Sequence, residues 1–432
     1  MLIDLIRVPD PTCIDDLLDE PLGLMYLAAS LREKKYDIRI TNLAGHSLES
    51  WRGEIKESDL YGIQLYTPTF KIGVDVARFI KSSFPGRPVI CGGAHPSALP
   101  ESEDLKIFDN IAVGEGEISI VNIADAYRDN KKIPRIIRSD FIRDLDSLPL
   151  PAWDMVDMMK FHRKVDGERC FGIIGSRGCS FRCAFCDQAI MGNKVRFRSI
   201  GNIIYEIKEI INRYGVRHFE FFDDMFTVRK SRLIEFKEKT KALNIAYRCN
   251  GRTDVLEKDI YDLLKESGCK VVCFGIESGS QKILDRMNKK NSIENNYKAI
   301  KIAQEAGLTV IGYFMIGFPG ETIETINESM EFVKRSDLDQ AQFYTFVPLP
   351  GCDVYKYPEK YGAEIISHDF SDYYLVTGRE GLGGRTIETE FLSADELTSQ
   401  MKRIRKFLKE RGFRGKTQDY YKEKLGYGAH PA

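Results

Sequence analysis

Three cysteines in one short run are the residues of this chain that are best placed to do chemistry. Cys179, Cys183 and Cys186 stand within the sequence Cys-Ser-Phe-Arg-Cys-Ala-Phe-Cys. Three thiolates can bind three irons of a four-iron four-sulfur cluster and leave the fourth iron open to a small molecule. The spacing therefore predicts a redox-active metal centre with one vacant coordination position.

Zinc is the alternative metal for such a run, but a structural zinc site needs four protein ligands. No second Cys-x-x-Cys or His-x-x-x-His pair follows at a suitable distance, and His162 and His218 are isolated. Ten cysteines in 432 residues are also too sparse for a domain built on disulfides. Zinc binding and plain core thiols remain the alternatives to an open cluster.

The cysteine run resembles the signature of the radical S-adenosylmethionine (SAM) superfamily, Cys-x3-Cys-x-aromatic-Cys, with Phe185 as the aromatic residue. The resemblance implies that SAM chelates the open iron through its amino and carboxylate groups. A reduced cluster would then pass one electron to the sulfonium, which releases methionine and a 5'-deoxyadenosyl radical. Phe185 would help to shield the cluster, whose low potential depends on burial and on hydrogen bonds to sulfur.

Upstream of this run, short apolar segments alternate with amphipathic ones as far as residue 135. The expected strands are 2–8, 37–43, 60–66, 88–91 and 111–113, and the expected helices are 22–34, 72–82 and 118–127. This alternation predicts a parallel, doubly wound, Rossmann-like α/β domain over residues 1–135. Ligands bind such sheets beyond the carboxyl ends of the strands, which indicates the loops at 66–69, 92–96 and 114–117.

Residues 136–168 contain a Leu-Pro-Leu-Pro-Ala-Trp segment and several methionines, and we expect them to form a linker. Alternation resumes over residues 169–350, with strands expected at 170–175, 218–222, 246–250, 271–276, 309–316 and 342–347. Six such units predict a partial (βα)6 barrel with an open side. In barrels of this kind the chemistry lies at the carboxyl ends of the strands. The cysteine run follows the first strand, and unusual polar or glycine-rich segments follow the next four.

Several of these segments also look like radical SAM motifs, among them Phe-Phe-Asp-Asp-Met-Phe at 221–226. The resemblance implies that their side chains hold the amino, carboxylate and ribose groups of SAM, and that glycine admits the adenine. The residues predicted to bind SAM are Phe185, Asp223, Asp224, Asn250, Arg252, Glu277 and Gly317. The alternatives are a helix cap for the aspartates and satisfied structural networks for the others.

The N-terminal domain resembles cobalamin-binding domains, most clearly in Gly-Gly-Ala-His-Pro at 92–96 and Tyr-Thr-Pro-Thr at 66–69. The residues that the resemblance implies as cobalamin-binding are Tyr66, Thr67, Thr69, Gly92, Gly93, His95, Gly114 and Glu115. The Asp-x-His-x-x-Gly run that places a histidine on cobalt in many cobalamin proteins does not occur here. The domain is therefore expected to bind cobalamin without a protein histidine on cobalt, or to be a relic that has lost the cofactor.

Residues 351–432 are rich in tyrosine and charge, and we expect a small, mainly helical region on the substrate side with a helix from Ala394. The basic stretch 402–416 is best explained as an amphipathic surface helix, with a phosphate or membrane-surface contact as the alternative. The seven cysteines outside the run are scattered in apolar segments and are expected to be core residues.

The resemblance implies an anaerobic enzyme in which cobalamin and the cluster face one another across a substrate cavity. Methyl transfer from methylcobalamin to an unactivated carbon or phosphorus is preferred, with a radical rearrangement or a ring-forming or C–C bond-forming step without methyl transfer as the alternative. Methylthio transfer to transfer RNA is disfavoured, because the first domain lacks a cysteine triad. The alternative from another functional class is a non-catalytic redox sensor that binds an iron-sulfur cluster or cobalamin.

The expected partners are a small-molecule, lipid or peptide substrate and an external low-potential electron donor of the flavodoxin or ferredoxin type. A net charge of −1 provides no general attraction for nucleic acid or anionic lipid. The sequence contains no run of about eighteen apolar residues and its N-terminus lacks a signal-peptide layout, so we expect a cytoplasmic protein without a transmembrane segment.

Overall fold

The computed structural model describes residues 1–10, 12–13, 15–47, 50–374 and 385–413. The first domain is built on a six-stranded parallel sheet with the strand order β2-β1-β3-β4-β5-β6. Its strands are β1 Leu2–Arg7, β2 Asp37–Asn42, β3 Leu60–Gln64, β4 Val89–Gly92, β5 Asn110–Val113 and β6 Ile136–Arg138. Its helices are α1 Leu22–Glu33, α2 Phe70–Ser83, α3 Ala94–Ala98 and α4 Gly116–Arg128. The doubly wound sheet predicted from the sequence is confirmed.

The first sheet is covered on both faces, and each face carries its own buried apolar cluster. The sixth strand was not expected, since β6 pairs with β5 although it lies within the predicted linker. Two partly buried isoleucines and an exposed arginine give too short an apolar pattern to reveal a strand. The sheet therefore extends three residues past the boundary that we placed at 135.

The second domain is a seven-stranded sheet with the order β15-β14-β13-β12-β11-β8-β7. Its strands are β7 Lys164–Val165, β8 Glu168–Ile173, β11 His218–Phe221, β12 Ala246–Gly251, β13 Cys269–Glu277, β14 Thr309–Ile316 and β15 Gln340–Thr345. The short strands β9 Ser176–Arg177 and β10 Arg196–Phe197 form a separate antiparallel pair. The helices are α5 Ile200–Tyr214, α6 Lys230–Thr240, α7 Lys258–Glu266, α8 Gln281–Arg286, α9 Ile293–Glu305 and α10 Ile323–Arg335.

Six strands of this sheet are parallel, and only β7 joins its edge in the antiparallel direction. The strand order begins at β15 and ends at β7, so the sheet does not close on itself. One large apolar cluster joins its outer face to the surrounding helices. The opposite face is half-buried at alternate residues of β12, β13 and β14, which leaves an accessible concave surface. These features confirm the predicted open half-barrel.

The C-terminal region combines helices with a small sheet. It contains α11 Asp353–Lys356, β16 Ala363–Ile365, β17 Ile387–Thr389 and α12 Ala394–Glu410, with β16 and β17 antiparallel. The hairpin was not expected in a region predicted to be mainly helical, whereas α12 begins at the predicted residue. The apolar side of α12 packs into the half-barrel core, which accounts for the amphipathic pattern. The basic stretch beyond residue 413 lies outside the described residues.

Six of the seven cysteines outside the run are buried, as predicted for core residues, and Cys13 is exposed. Within the described part of the chain, no helix is long and apolar enough to cross a membrane.

Gly93 is the residue that the turn from β4 into α3 requires. Its φ of 115° and ψ of −170° belong to a region that is essentially restricted to glycine. A β-carbon there would lie 2.5 Å from the carbonyl oxygen of Leu65. We therefore expect Gly93→Ala to lower the free energy of unfolding by about 2 kcal/mol or more, measured by urea denaturation.

Gly53→Ala is the matched control for this substitution, because a β-carbon at this exposed glycine meets no atom within 4 Å. We expect the control to change stability by less than about 0.5 kcal/mol. Equal stability of the two variants would contradict the assignment of strain to Gly93.

Candidate active site between the two sheets

The cysteine run lies on a loop whose two ends are joined by the β9–β10 ladder, in which Arg177 and Arg196 are directly paired. Gly178 starts the loop with a φ of 85°, and a β-carbon there would lie 2.5 Å from the carbonyl oxygen of Lys194. The chain therefore turns sharply just before Cys179. This ladder fixes where the loop leaves and rejoins the half-barrel.

The loop is held from one side by the segment that follows α8. The N–H of Ala184 donates to the carbonyl of Met287 at 2.9 Å, and the amide of Asn288 donates to the carbonyl of Arg182 at 2.6 Å. The Arg252 guanidinium stacks on the Phe181 ring at 3.5 Å from its centroid. These contacts fix the loop backbone on which the three cysteines stand.

The three cysteine thiols are partly accessible, and Cys186 is the most exposed. Burial raises the pKa of Cys179 and Cys183, while the nearby positive charges of Arg252 and Lys289 act in the opposite direction. Burial also raises the pKa of Cys186 to about 12. Bound iron would deprotonate all three, because a coordinated thiol ionises outright.

Among the described residues, no three His, Cys, Asp or Glu side chains converge to hold a single metal ion. A four-iron cluster makes no such demand, since each thiolate binds a different iron. Three thiolates on one braced loop, partly open to the surface, therefore fit a cluster with one open iron.

The two aspartates that follow β11 have different environments. Asp223 is 3% exposed and accepts hydrogen bonds from the Gly175 N–H at 2.7 Å and the Ser176 hydroxyl at 2.5 Å. Burial raises the pKa of this carboxyl to about 6. Asp224 instead lines a large cavity, and its charge acts on the thiols of Cys179 and Cys186. Asp223 thus supports the loop, while Asp224 is available to a ligand.

The next group of predicted SAM-binding residues is partly engaged within the protein. Arg252 is 7% exposed and forms two parallel contacts with Asp254, with Nε–Oδ1 and Nη2–Oδ2 distances of 3.0 Å. Glu277 ends β13 in the left-handed region with a φ of 64° and pairs with Lys289 at 2.7 Å. Asn250 is half-buried near the end of β12. A strained non-glycine backbone such as that of Glu277 is typical of functional sites.

Gly317 and Phe185 face other parts of the protein. A β-carbon on Gly317 would lie 2.5 Å from Leu397, so α12 packs closely against this glycine, and its approach to adenine stays a prediction. The Gly317 N–H donates to Glu321, a fully buried carboxyl whose pKa burial raises to about 8. Phe185 packs against an apolar cluster that joins Ala184 of the cysteine loop to residues of the half-barrel and of the C-terminal region.

A cavity of about 530 Å³ opens between the carboxyl ends of the two sheets. On the first sheet it is lined by the ends of β1 and β3, where Arg7 and Gln64 stand at the point at which the strand order reverses. On the half-barrel it is lined by Ser176, Phe222 and Asp224. One continuous space therefore joins the predicted cobalamin side to the predicted SAM side.

The floor of this cavity consists of closely packed small residues: Gly23, Gly62, Gly92, Gly93, Ala112, Gly114 and Gly116. A β-carbon on Gly23 would lie 2.9 Å from the Gln64 amide, and one on Gly116 would lie 2.9 Å from Leu27. Side chains at these positions would close the slot between α1, α4 and the sheet. An apolar slot of this kind fits a flat ligand such as the nucleotide base of cobalamin.

The predicted cobalamin-binding residues divide into two groups. Tyr66, Gly92, Gly93, Gly114 and Glu115 line the cavity, and the Tyr66 hydroxyl accepts a hydrogen bond from the Gln64 amide at 3.0 Å. Three others do not line it, namely Thr67, Thr69 and His95.

Thr69 and His95 make contacts elsewhere in the protein, and the cobalamin-binding role of all three residues stays a prediction. The Thr69 hydroxyl bonds the backbone of Tyr66 at the start of α2. His95 is fully buried, with its ring 4.1 Å from that of Phe70 and 4.5 Å from that of Phe370, and burial lowers its pKa to about 4. The ring of His95 is turned towards α2 by its packing between these two phenylalanines.

Glu115 lies in the cavity wall, but its carboxylate is already paired with arginines of the second domain. Its carboxylate accepts from Arg177 at 2.7 Å, from Arg196 at 2.5 Å and from the Ile142 N–H at 2.9 Å. Glu117 completes the group with a 2.6 Å contact to Arg177. These four charged side chains are 10% exposed or less. We call them the interdomain ion cluster.

Sequence reasoning missed five residues of this site: Arg7, Glu20, Gln64, Arg177 and Lys289. Arg177 had a visible signal, because it stands two residues before Cys179, whereas Glu117 already lay within the indicated loop 114–117. Lys289 had none, since it lies far from the cysteine run in sequence and is brought there by the loop after α8.

Comparison with known proteins agrees with this arrangement. Residues 173–333 match the model of the radical SAM superfamily, and residues 19–124 match that of the B12 binding domain. An uncharacterized methyltransferase of Pyrococcus horikoshii is 32% identical over 360 residues, which is 78% of this chain and 78% of that protein. The chain therefore belongs to the radical SAM enzymes that carry a B12-binding domain.

Two further proteins are similar to the chain, one in sequence and one in fold. An anaerobic magnesium-protoporphyrin IX monomethyl ester cyclase of Cereibacter sphaeroides is 24% identical, with 83% of this chain and 63% of that protein covered. The chain also resembles the structure of the methyltransferase TsrM from Kitasatospora setae with cobalamin and an iron-sulfur cluster bound. The superposition has a TM-score of 0.68 at 16% identity, and it covers 93% of this chain and 85% of the TsrM chain. The chain is an enzyme of the cobalamin-dependent radical SAM methyltransferase family, as predicted.

The interdomain ion cluster generates a stability prediction. Glu115→Gln removes the negative charge that Arg177 and Arg196 share; Arg177 keeps Glu117, but buried Arg196 loses its carboxylate, and an unpaired buried charge costs about 3–5 kcal/mol. We expect this loss in the free energy of unfolding, measured with urea. Glu103→Gln is the control, because it breaks an ion pair with Lys106 whose side chains are 82% and 66% exposed. The control should cost less than about 1 kcal/mol, and similar losses in both variants would contradict the prediction.

Glu20 generates a pH prediction. Its carboxyl lines the cavity and accepts the Gly172 N–H at 2.5 Å, and burial raises its pKa from 4.5 to about 7. A carboxyl with a raised pKa favours the folded state when protonated. The stabilisation of the folded state by the Glu20 carboxyl is therefore fully present below pH 4.5 and is lost as the pH rises through 7. Compared with Glu20→Gln, the unmodified protein should lose about 3 kcal/mol more of unfolding free energy between pH 4.5 and 7.5.

Urea titrations of both proteins across this pH range measure the difference. The other buried carboxyls whose pKa burial raises, Asp4, Glu206, Asp223 and Glu321 among them, are present in both proteins, so their effects cancel. Parallel stability curves for the two proteins would show that burial of Glu20 does not perturb its titration.

Proposed function

We propose that the cavity between the two sheets binds cobalamin at its glycine-rich end and SAM at the cysteine loop, with the methyl-accepting substrate between them. The observation that carries this proposal is the continuous cavity wall from Gly92 and Gly93 on the first sheet to Asp224 on the half-barrel. When bound, the cluster supplies the electron that cleaves SAM, and cobalamin supplies the methyl group.

Cobalamin is proposed to enter the slot between α1, α4 and the first sheet. Gly23, Gly62 and Gly116 leave room for its nucleotide base, while Tyr66 and Gln64 stand at the mouth of the cavity. Tyr66 is 48% exposed although it lies in the cavity wall, so its ring is available to a bound ligand. His95 is proposed to keep α3 and α2 together, since its ring is stacked away from this space.

SAM is proposed to bind where the charges of Asp224 and Glu277 act on the thiols of the cysteine loop, with Asn250 of β12 as a further contact. Asp224 has no arginine or lysine partner among the described residues and suits the ammonium of the methionyl group. Glu277 suits ribose hydroxyls, which donate to a carboxylate. Arg252 and Asp223 act by positioning the loop and its flanks, since their polar groups are already satisfied.

The substrate is proposed to be a small molecule, a lipid or a peptide that accepts a methyl group at carbon or phosphorus. The external electron donor is proposed to be of the flavodoxin or ferredoxin type. The relationship to a cyclase favours a second candidate, a ring-forming reaction without methyl transfer.

By-products distinguish the candidates without knowledge of the substrate. Methyl donation by SAM leaves S-adenosylhomocysteine, whereas reductive cleavage leaves 5'-deoxyadenosine. We expect the anaerobically reconstituted enzyme, supplied with SAM, hydroxocobalamin and a low-potential reductant, to form both. Formation of 5'-deoxyadenosine alone would favour the ring-forming candidate. Formation of neither product by enzyme with an intact cluster would support a sensor.

Cysteine variants test the assignment of the two cofactors. Cys183→Ala should reduce 5'-deoxyadenosine formation by more than about 100-fold, because one iron loses its thiolate. It should retain stoichiometric cobalamin after gel filtration, measured from the visible spectrum, because the slot lies in the first domain. Cys13→Ser, at an exposed cysteine outside the run, is the control and should retain both properties. Loss of cobalamin from the unmodified enzyme would contradict the proposed slot.

A further inference from the structure

Four exposed cations stand on the cysteine loop and on the segment that braces it, and none has a role in the function argued so far. They are Arg182 of the loop, Lys282 and Arg286 of α8, and Lys290 just beyond this helix. The segments 179–186 and 281–290 contain one carboxylate, Asp285, to which the Gln281 amide donates at 2.9 Å. The whole chain has a net charge of −1, so this excess of positive charge is a local feature. We call these four cations the basic face.

The basic face begins directly at the residues predicted to bind the cluster. Arg182 precedes Cys183 in the chain, and consecutive Cα atoms are only about 3.8 Å apart. The Arg182 carbonyl accepts from the Asn288 amide at 2.6 Å, and this contact holds the segment that carries Lys290 against the loop. A protein bound to Arg182 is therefore one residue away from a predicted ligand of the cluster.

Lys290 is held beside the loop by an unusual backbone. Its φ is 55°, and Asn288 has the same value, so both residues lie in the left-handed region. A residue with a long side chain seldom adopts this conformation, which persists only where the surrounding structure holds it. Met287 adds to that support by accepting the Ala184 N–H at 2.9 Å. The strained backbone therefore fixes a charged side chain at the surface next to the loop.

The two cations nearest the cysteines are available to a partner. Arg182 and Lys290 are exposed, and neither has a carboxylate within 4.0 Å in the part of the chain that the structure describes. None of the four cations lines the cavity that contains Asp224 and the glycine-rich slot. A protein on the basic face would therefore leave that cavity open to SAM, cobalamin and substrate.

An exposed aromatic ring adjoins the basic face at the start of α8. The Phe391 side chain is 47% exposed, and the Lys282 ammonium lies 6.0 Å from the centroid of its ring. Protein interfaces commonly combine aromatic contacts with a polar rim. Of the two donor types expected for this enzyme, a flavodoxin presents the planar edge of a flavin, which suits an exposed ring beside a cation.

We propose that the basic face is the docking surface for a flavodoxin that carries acidic groups around its flavin. The inference rests on the proposed function, in which the cluster at the cysteine loop is reduced before SAM is cleaved. It adds the surface through which the electron enters and the charge that the donor must carry. One electron leaves the reduced flavin and enters the oxidised cluster, and no proton is transferred. The cations steer the acidic donor to the loop and fix its orientation.

Steady-state kinetics of 5'-deoxyadenosine formation by the reconstituted enzyme at saturating SAM test the docking surface. The donors are a purified flavodoxin of net negative charge and reduced methyl viologen, a small cation that needs no docking surface. At about 0.01 M ionic strength, we expect the double variant Arg182→Gln with Lys290→Gln to raise the KM for reduced flavodoxin by about 10-fold. The rate at saturating flavodoxin and the rate with methyl viologen should each change by less than about 2-fold.

Lys34→Gln with Lys132→Gln is the matched control, because it removes two exposed lysines that also have no carboxylate within 4.0 Å among the described residues. Lys34 follows α1 and Lys132 follows α4, at the edge of the first sheet opposite to the cavity. The control should leave the KM for flavodoxin unchanged. An equal rise in KM in both double variants would overturn the inference, as would an unchanged KM in the variant of the basic face.

Salt gives an independent measure of the same role. The Debye length falls from about 30 Å at 0.01 M to about 3 Å at 1 M, so exposed charges no longer steer a partner at high salt. The difference in KM between the unmodified enzyme and the variant of the basic face should therefore shrink to less than about 2-fold at about 1 M salt. A 10-fold difference that persists there would contradict the electrostatic role.

Methyl viologen separates this inference from the proposed function. If unmodified enzyme with full iron and sulfide content forms no 5'-deoxyadenosine with reduced methyl viologen, both are overturned. If methyl viologen supports formation but the flavodoxin does not, the inference alone is overturned. A loss of the methyl viologen rate in the variant of the basic face would also overturn it, and would assign the two cations to the environment of the cluster. The thermal unfolding midpoint confirms that each variant is folded.

Discussion

Glu115 accepts hydrogen bonds from Arg177 and Arg196, the two arginines that close the base of the cysteine loop. The glutamate belongs to the first domain and the arginines to the second, so this one carboxylate joins the predicted cobalamin side to the predicted cluster side. All three side chains are withdrawn from water, and each charge therefore needs the others. The loop can move relative to the first sheet only if these buried charges are separated.

The cavity depends on the same contact. Glu115, Glu117 and Arg177 all contribute to its wall, next to the glycines of the first sheet. Helix α1 reinforces the arrangement, since Leu22 and Met25 pack into the half-barrel core while Leu24 and Ala28 pack on the first sheet. The two sheets thus present their carboxyl ends to one space. A ligand on one sheet and a ligand on the other are brought face to face by packing that neither domain provides alone.

Side chains around the cysteine loop divide into those that are already satisfied and those that are available. Asp223 and Arg252 are buried and use their hydrogen-bonding groups within the protein, where they brace the loop. Asp224 faces the cavity, and Glu277 contacts Lys289 through one carboxylate oxygen. A polar side chain at the end of a strand is therefore a candidate for the site from its residue type. Whether it is available to bind a ligand depends on its hydrogen bonds within the protein.

The sequence alone determined the class of this protein, because the spacing of Cys179, Cys183 and Cys186 and the alternation of strands and helices are local patterns. Local pattern also located the six long strands of the half-barrel and the start of α12. It could not determine that Glu115 is taken by arginines, that His95 turns away from the cavity, or that Lys289 lies at the cysteine loop. Those outcomes depend on contacts between residues far apart in the chain, where burial and charge pairing act only once both domains have packed together.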